Sequence, residues 1–271
     1  MLGSPGANPR LGVVGWPVGH SRSPAIHNAA LMALGLSAWR YQLLPVPPEL
    51  FSETVKALPA AGFRGVNVTI PHKQAALALA DEATVTARAI GAANTLTFDE
   101  RGAIRAENTD APALIGALPF DVVGATALVL GAGGSARAAV WALGDAGARE
   151  VRVWNRTAQR VRRLCDELGA TPTREGAPAD LLVNCTSVGL EPTTPTFEQL
   201  PVSAEQLSRY GCLVDLVYVD GGTPLALAAR ARGVPVIDGL ELLVGQGALS
   251  FELFTGLAAP IIEMRAASRR A

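Results

Sequence analysis

The sequence predicts an α/β protein of two units, each built on its own sheet. Three observations carry this reading. The chain is 49% hydrophobic and 17% charged over 271 residues, with a mean hydropathy of +0.27, so it has apolar material for two cores. Short β-type runs alternate with helical patterns from residue 10 onward, the order that favours largely parallel sheets. A glycine turn, Gly131-Ala132-Gly133-Gly134-Ser135-Ala136, sits between an apolar run and a helical pattern and opens a second unit near residue 120.

In the first unit LGVVG (11–15) reads as a strand. SPAIHNAALMALG (23–35) reads as a helix, with Ser23 as N-cap, Pro24 at the first position and Gly35 as the stop. AWRYQLLPV (38–46) is a strand, PPELFSETVKAL (47–58) a helix, and GVNVTI (65–70) a third strand. KQAALALADEA (73–83) is a helix after Pro71. NTLTF (94–98) and AIRAEN (103–108) form a hairpin around Asp99-Glu100-Arg101-Gly102. In the second unit residues 125–157 read as strand, glycine turn, helix and strand. DLLVNCTS (180–187), CLVDLVY (212–218) and PVIDG (235–239) add strands, with the helical TPLALAARARG between the last two. Residues 240–271 are helical and expected to pack back on the first unit. The expected division is therefore 1–108 with 240–271, and 109–239.

The formal charge is −1 and there are no basic blocks, which leaves a nucleic-acid or anionic-membrane surface without support. Cys165, Cys185 and Cys212 are scattered and form no CxxC, and His20, His27 and His72 have no metal-ligand spacing. Neither a disulfide framework nor a metal is expected, and a reducing cytoplasm fits best. MLGSPGANPR has no apolar leader region, and no apolar run reaches the length of a membrane span.

The glycine turn has the form G-x-G-x-x-A, the dinucleotide fingerprint of a Rossmann-like unit. Gly131 permits the tight turn, Gly133 lets backbone approach a pyrophosphate, and Ala136 is small enough for helix–strand packing. The helix start, with Ala132, Gly134 and Ser135, offers N–H groups to phosphate. The next strand, EVRVW, ends in Asn155-Arg156-Thr157, with Arg160 one turn on. No acid stands there to repel a 2′-phosphate, and two guanidinium groups can hold one, so NADP(H) is preferred to NAD(H). The plainer alternative is that both arginines solvate a helix start.

Three further features bear on chemistry. Ser21 and Ser23 flank Arg22 at a helix entrance; they either cap the helix or hold a carboxylate, and for Ser23 the two roles are compatible. Lys73 follows the extended NVTIP run, as either a solvated lysine at a strand exit or a proton donor. Asp110 closes Asn108-Thr109-Asp110, either as an N-cap or as a partner for a lysine.

In GWPVGHSRSPAIHN, GVNVTIPHK, IGAANT, ENTD, LVLGAGGSARA, NRT, VNCTSVG, DLVY, TPL and DGLELLVGQGALSFELFTG, taken in order, the chain closely resembles the shikimate dehydrogenase family. The resemblance runs nearly end to end. It implies an N-terminal α/β substrate domain and a Rossmann-like NADP-binding domain with the active site in the cleft between them. It implies NADPH-dependent reduction of 3-dehydroshikimate to shikimate, with Lys73 as acid/base and Asp110 as its partner. Ser21, Ser23 and Tyr218 are then expected at the substrate carboxylate, and Asn67, Thr69, Asn94, Asp110 and Gln246 at its ring hydroxyls. Gly131 to Ser135, Asn155, Arg156, Thr157 and Arg160 are expected at the cofactor, with Thr186, Ser187, Leu216 and Gly239 at its nicotinamide end. The family often has Met where Leu216 and Leu242 stand, and Tyr-x-Pro where Tyr218-Val219-Asp220 stands. A small-molecule enzyme, monomeric or homodimeric, is expected. The alternatives are a quinate/shikimate dehydrogenase using NAD, and a non-catalytic NADP- or shikimate-binding sensor.

Overall fold

The computed structural model describes residues 8–191 and 195–270. Residues 1–7, on which most of the reading of MLGSPGANPR rests, lie outside the described residues. The chain divides into two compact units, residues 1–109 with 243–271, and residues 110–242.

The first unit holds β1 (Arg10–Gly15), α1 (Ser23–Ala33), β2 (Arg40–Pro45), α2 (Phe51–Ala57), β3 (Phe63–Val68), α3 (Lys73–Leu79), β4 (Glu82–Ala83), α4 (Val85–Ile90), β5 (Thr95–Phe98) and β6 (Ile104–Glu107). Its sheet runs β2-β1-β3-β5-β6-β4. β1 pairs in parallel with β2 and β3, whereas β5 is antiparallel to both β3 and β6, so the sheet is mixed. Alternation along each strand feeds two apolar layers. Leu11 and Val13 face one layer with Ile26, Tyr41, Val244 and Phe251. Val14, Val66, Val68, Leu96 and Ala106 face the other with Phe51 and Val55.

The second unit holds α5 (Asp110–Ala117), β7 (Thr126–Leu130), α6 (Gly134–Asp145), β8 (Glu150–Trp154), α7 (Ala158–Leu168), β9 (Thr171–Pro172), β10 (Ala179–Asn184), β11 (Tyr210–Asp215), α8 (Pro224–Arg230) and β12 (Val236–Ile237). Its sheet, β12-β11-β10-β7-β8-β9, is parallel throughout, which requires crossovers and buries both faces. Ala127, Val129, Val153, Val183 and Val214 point to one layer, and Leu128, Leu130, Leu182 and Leu213 to the opposite one. α9 (Gly239–Thr255) then returns the chain to the first unit, where α10 (Ile261–Ser268) lies against α1.

Four expectations need correction. Ser23 is not the N-cap of α1: Arg22 holds that position at φ −86°, ψ 3°, already close to helical, and Ser23 is the first helical residue. The helix has no side-chain cap from that position, and the Ser21 Oγ accepts the Ser23 N–H at 3.3 Å. The helix expected to run to residue 83 stops at Leu79, because the Asp81 carboxylate accepts the Ile104 N–H at 2.8 Å and the Asp81 N–H donates back to the Ile104 carbonyl at 2.9 Å, drawing the chain into β4. α4 was not expected; Thr84 caps it by accepting the Ala87 N–H at 3.2 Å, and its β-branched Val85 and Thr86 mask the helical pattern. The C-terminal stretch expected to be helical is interrupted between residues 256 and 260, where Gly256 at φ +70° separates α9 from α10.

Candidate active site

In the first unit the candidates cluster at the carboxyl ends of the parallel strands and on α9. The loop after β1 leads to the serine pair, where the Ser21 hydroxyl donates to the Ser23 Oγ at 3.1 Å. The Arg22 guanidinium between them donates to the Ser268 carbonyl at 2.9 Å, tying this loop to the end of α10. The loop after β3 carries Thr69 and Lys73, and the Trp16 N–H donates to the Ile70 carbonyl at 3.0 Å, joining the two loops. Thr69 packs so closely on Gly15 that any Cβ there would overlap its Cγ2.

Lys73 opens α3, and its carbonyl accepts the Ala93 N–H at 2.8 Å, which sets Asn94 beside it in the fold. His72, one residue earlier, stacks on Phe51 at 4.4 Å, and its Nε2 lies 2.7 Å from the Val46 carbonyl. Burial lowers its pKa against the raising effect of that bond, so a neutral ring donating through Nε2 fits best.

Asn94 is 2% exposed and is the hub of the amide cluster. Its Nδ2 donates to Thr109 Oγ1 at 2.9 Å and to Gln246 Oε1 at 3.3 Å, and its Oδ1 accepts the Thr109 N–H at 2.7 Å. Asn67 is fully engaged by the fold. Its Oδ1 accepts from Tyr41 Oη (2.8 Å) and Ser250 Oγ (3.3 Å), and its Nδ2 donates to Thr95 Oγ1 (3.1 Å) and the Asn94 carbonyl (3.3 Å). The structure thus brings Lys73, Asn94, Gln246 and Asn67 into one neighbourhood, and Thr69 and the serines onto two joined loops.

In the second unit Asp110 opens α5, in the first turn, where the helix dipole favours a carboxylate. Gly131 adopts φ +114°, and a Cβ there would sit 3.0 Å from the Cys185 carbonyl, so only glycine makes this turn easily. A Cβ on Gly133 would meet nothing within 4 Å, which leaves open space over the start of α6. Asn155 directly follows β8, and Thr157 stands at the N-cap position of α7 without using its hydroxyl to cap it. Arg156 and Arg160 are both exposed. A glycine turn with room above it, a neighbouring strand ending without an acid, and two exposed guanidinium groups at a helix start together fit a phosphorylated dinucleotide.

At the same edge of the sheet the Thr186 hydroxyl donates to Asn184 Oδ1 at 2.7 Å and accepts the Val188 N–H at 3.1 Å, while Ser187 is exposed. The Leu216 N–H donates to the Asn184 carbonyl at 3.0 Å, and Tyr218 follows two residues later, half-buried. Gly239 lies beneath this stretch, where a Cβ would fall 2.5 Å from the Leu216 carbonyl oxygen.

Three family models match parts of the chain: a shikimate dehydrogenase substrate binding domain at residues 13–96, a shikimate/quinate 5-dehydrogenase model at 117–183, and a shikimate 5'-dehydrogenase C-terminal domain at 239–267. A Methylobacterium radiotolerans protein named shikimate dehydrogenase (NADP(+)) is 46% identical over 92% of each chain. The chain belongs to the shikimate dehydrogenase family.

A Thermus thermophilus member of the family is 45% identical, covering 97% of this chain and 98% of its own. The Thermus thermophilus enzyme solved in complex with NADP(H) and shikimate superposes with a TM-score of 0.85 at 44% identity, over 96% of this chain and 98% of that one. Shikimate dehydrogenase from Aquifex aeolicus gives 0.87 at 31% identity, over 96% and 97%. Among the described residues no helix is long and apolar enough to cross a membrane.

Sequence reasoning gave no role to Thr95, Thr109 and Ser250, which hold Asn67 and Asn94, or to Asn184, Asp215 and Thr223. One signal for the latter was readable: two apolar strands, β10 and β11, both end in a polar residue, and the register pairs Asn184 with Asp215.

Proposed function

We propose that this chain is an NADP-dependent oxidoreductase that reduces 3-dehydroshikimate to shikimate, reversibly, in aromatic amino acid biosynthesis. The observation that carries the reading is Lys73, whose carbonyl holds Ala93 and so sets the Asn94–Gln246 amide pair beside it. Such neutral donors and acceptors suit a polyol ring, and a lysine among them suits a ketone that must gain a proton.

NADPH supplies the hydride that adds to the C3 carbonyl carbon. The ammonium of Lys73 gives a proton to the C3 oxygen, and in the reverse direction its free amine takes one back. Asp110 stabilises and orients the ammonium and accepts from a ring hydroxyl. Asn94 and Gln246 exchange their mutual 3.3 Å bond for bonds to ring hydroxyls, with Thr69 alongside. Asn67 supports Asn94, and Ser21, Ser23 and Tyr218 take the carboxylate. On the cofactor side Gly131, Ala132, Gly133, Gly134 and Ser135 present backbone to the pyrophosphate. Asn155, Arg156, Thr157 and Arg160 hold the ribose 2′-phosphate. Thr186, Ser187, Leu216 and Gly239 line the nicotinamide end. The enzyme works in the cytoplasm as a monomer or a homodimer.

The test is the loss of NADPH absorbance with purified protein and 3-dehydroshikimate, run beside NADH. Fast oxidation of NADPH and slow oxidation of NADH is expected; binding of NADPH without oxidation rejects the reading. Lys73→Ala is expected to lower kcat about a thousandfold while KM moves little. Arg156→Ala is expected to weaken NADPH about tenfold and leave NADH nearly unchanged; equal weakening of both would reject the phosphate clamp.

A further inference from the structure

Asp215 ends β11 and is 0% exposed. Three donors converge on its carboxylate: Asn184 Nδ2 at 2.9 Å and the Val217 N–H at 3.2 Å on Oδ1, and Thr223 Oγ1 at 2.5 Å on Oδ2. Each donor belongs to a different loop segment. Asn184 begins the turn through Thr186 and Val188, Val217 lies between Leu216 and Tyr218, and Thr223 caps α8 by accepting the Ala226 N–H at 3.0 Å. Arg230, whose charge is felt at this carboxylate, pairs with Asp238 at 3.8 Å. A carboxylate is the one short side chain that can accept from all three donors at once.

We propose that Asp215, with Asn184 and Thr223, is a positioning residue of the cofactor unit: its buried carboxylate locks the 184–188 turn, the 216–218 segment and the start of α8 together, and so fixes the residues that face the nicotinamide. The link to turnover rests on the function proposed above; the lock itself does not. At neutral pH the carboxylate stays charged inside the fold although burial pushes its pKa up to about 6, a cost the three donors offset only in part. Asp215→Asn replaces Oδ2 with an amide that donates toward Thr223, whose hydroxyl proton then has no acceptor.

The experiment is amide hydrogen exchange on the full chain, comparing the parent with Asp215→Asn, Thr223→Val and Thr223→Ser. Exchange at Thr186, Val188 and Val217 is expected to quicken about tenfold in Asp215→Asn and Thr223→Val and to recover in Thr223→Ser. Amides of β7 and α6 are expected to hold. Because Thr223→Val keeps the shape of the residue, it decides the matter even where Asp215→Asn folds poorly. Unchanged exchange at all three amides in folded Asp215→Asn or Thr223→Val overturns the lock. In Asp215→Asn and Thr223→Val kcat is expected to fall about tenfold, the primary isotope effect with 4-deuterated NADPH to rise, and NADPH affinity to change less than about threefold, with Thr223→Ser staying near the parent. Faster exchange with unaltered kcat and isotope effect overturns the positioning role. If the parent protein oxidises no NADPH, the function reading fails, and the exchange comparison alone then supports or overturns the lock.

Discussion

The buried polar cluster of the first unit is made of amides and hydroxyls, Asn67, Asn94, Thr95 and Thr109, none carrying a formal charge. That of the second unit closes on a carboxylate, Asp215, held by Asn184 and Thr223. Neutral groups can trade one partner for another at little cost, because nothing charged is stranded while they do so. A buried carboxylate cannot, since losing a donor leaves charge without a partner. The first arrangement suits a surface that must accept and release hydroxyl groups. The second suits a joint that must not move.

The same contrast separates the units in acid. The first unit holds His27, fully buried, with no hydrogen-bond partner on either ring nitrogen, stacked on Tyr41 at 4.1 Å. Burial lowers its pKa from 6.5 to about 3. The folded state therefore binds fewer protons than the unfolded chain. The stability linked to His27 is complete above pH 6.5 and is lost as pH falls toward 3. At 1.36 kcal/mol per unit this totals roughly 5 kcal/mol, with about 2 kcal/mol gone near pH 5. His27→Phe, set among Tyr41, Phe251 and Phe254, is expected to remove most of that acid loss. Denaturant titrations of both proteins near pH 7 and pH 5 check it, and parallel losses would break the comparison.

Asp215 works in the opposite sense. Its pKa is raised from 3.8 to about 6, so its linked stability is complete below pH 3.8 and is lost as pH rises through about 6. The total is about 3 kcal/mol. Asp215→Asn is expected to abolish this dependence and leave the opposing rise linked to His27 unmasked, so the variant's stability climbs more steeply with pH than the parent's between about pH 4 and 6; an identical pH profile would show that the carboxylate does not titrate in this window. The smallest effect concerns an ion pair at the edge of the second unit. Glu167 bonds Arg137 at 2.6 Å and Arg163 at 2.8 Å, and these bonds, Arg163 first, hold its carboxyl below the usual range. Glu167→Gln is expected to cost about 1 kcal/mol, because Arg137 is buried and Arg163 is not. Thermal unfolding checks it, and a loss as large as the acid loss linked to His27 would mean that this pair between α6 and α7 acts as a buried ion pair rather than a half-exposed one.

The elements legible in the sequence were those specified by neighbours in the chain. β7, the glycine turn, α6 and β8 were placed by apolar runs and a turn that needs φ +114° at Gly131. Errors arose where a distant partner decided. α3 ends where Asp81 meets Ile104, 23 residues away. Ser23 looked like a cap because serine often is one, but the backbone at Arg22 was already turning. In the candidate site the residue types were readable and their associations were not. Asn94 meets Gln246 across 152 residues, and Asn184 meets Asp215 across 31. Only the polar ends of two apolar strands hint at the second pairing, and nothing local announces the first, which the family resemblance alone had grouped.

The return of the chain through α9 and α10 also dictates an order of construction. Residues 110–242 form a continuous unit, whereas the first unit draws Val244, Phe251 and Met264 into the layer that covers Leu11 and Val13. A nascent chain emerging from the ribosome can therefore finish its second half while its first half still lacks one wall. The serine loop is among the last parts to be secured, because Arg22 waits for the carbonyl of Ser268.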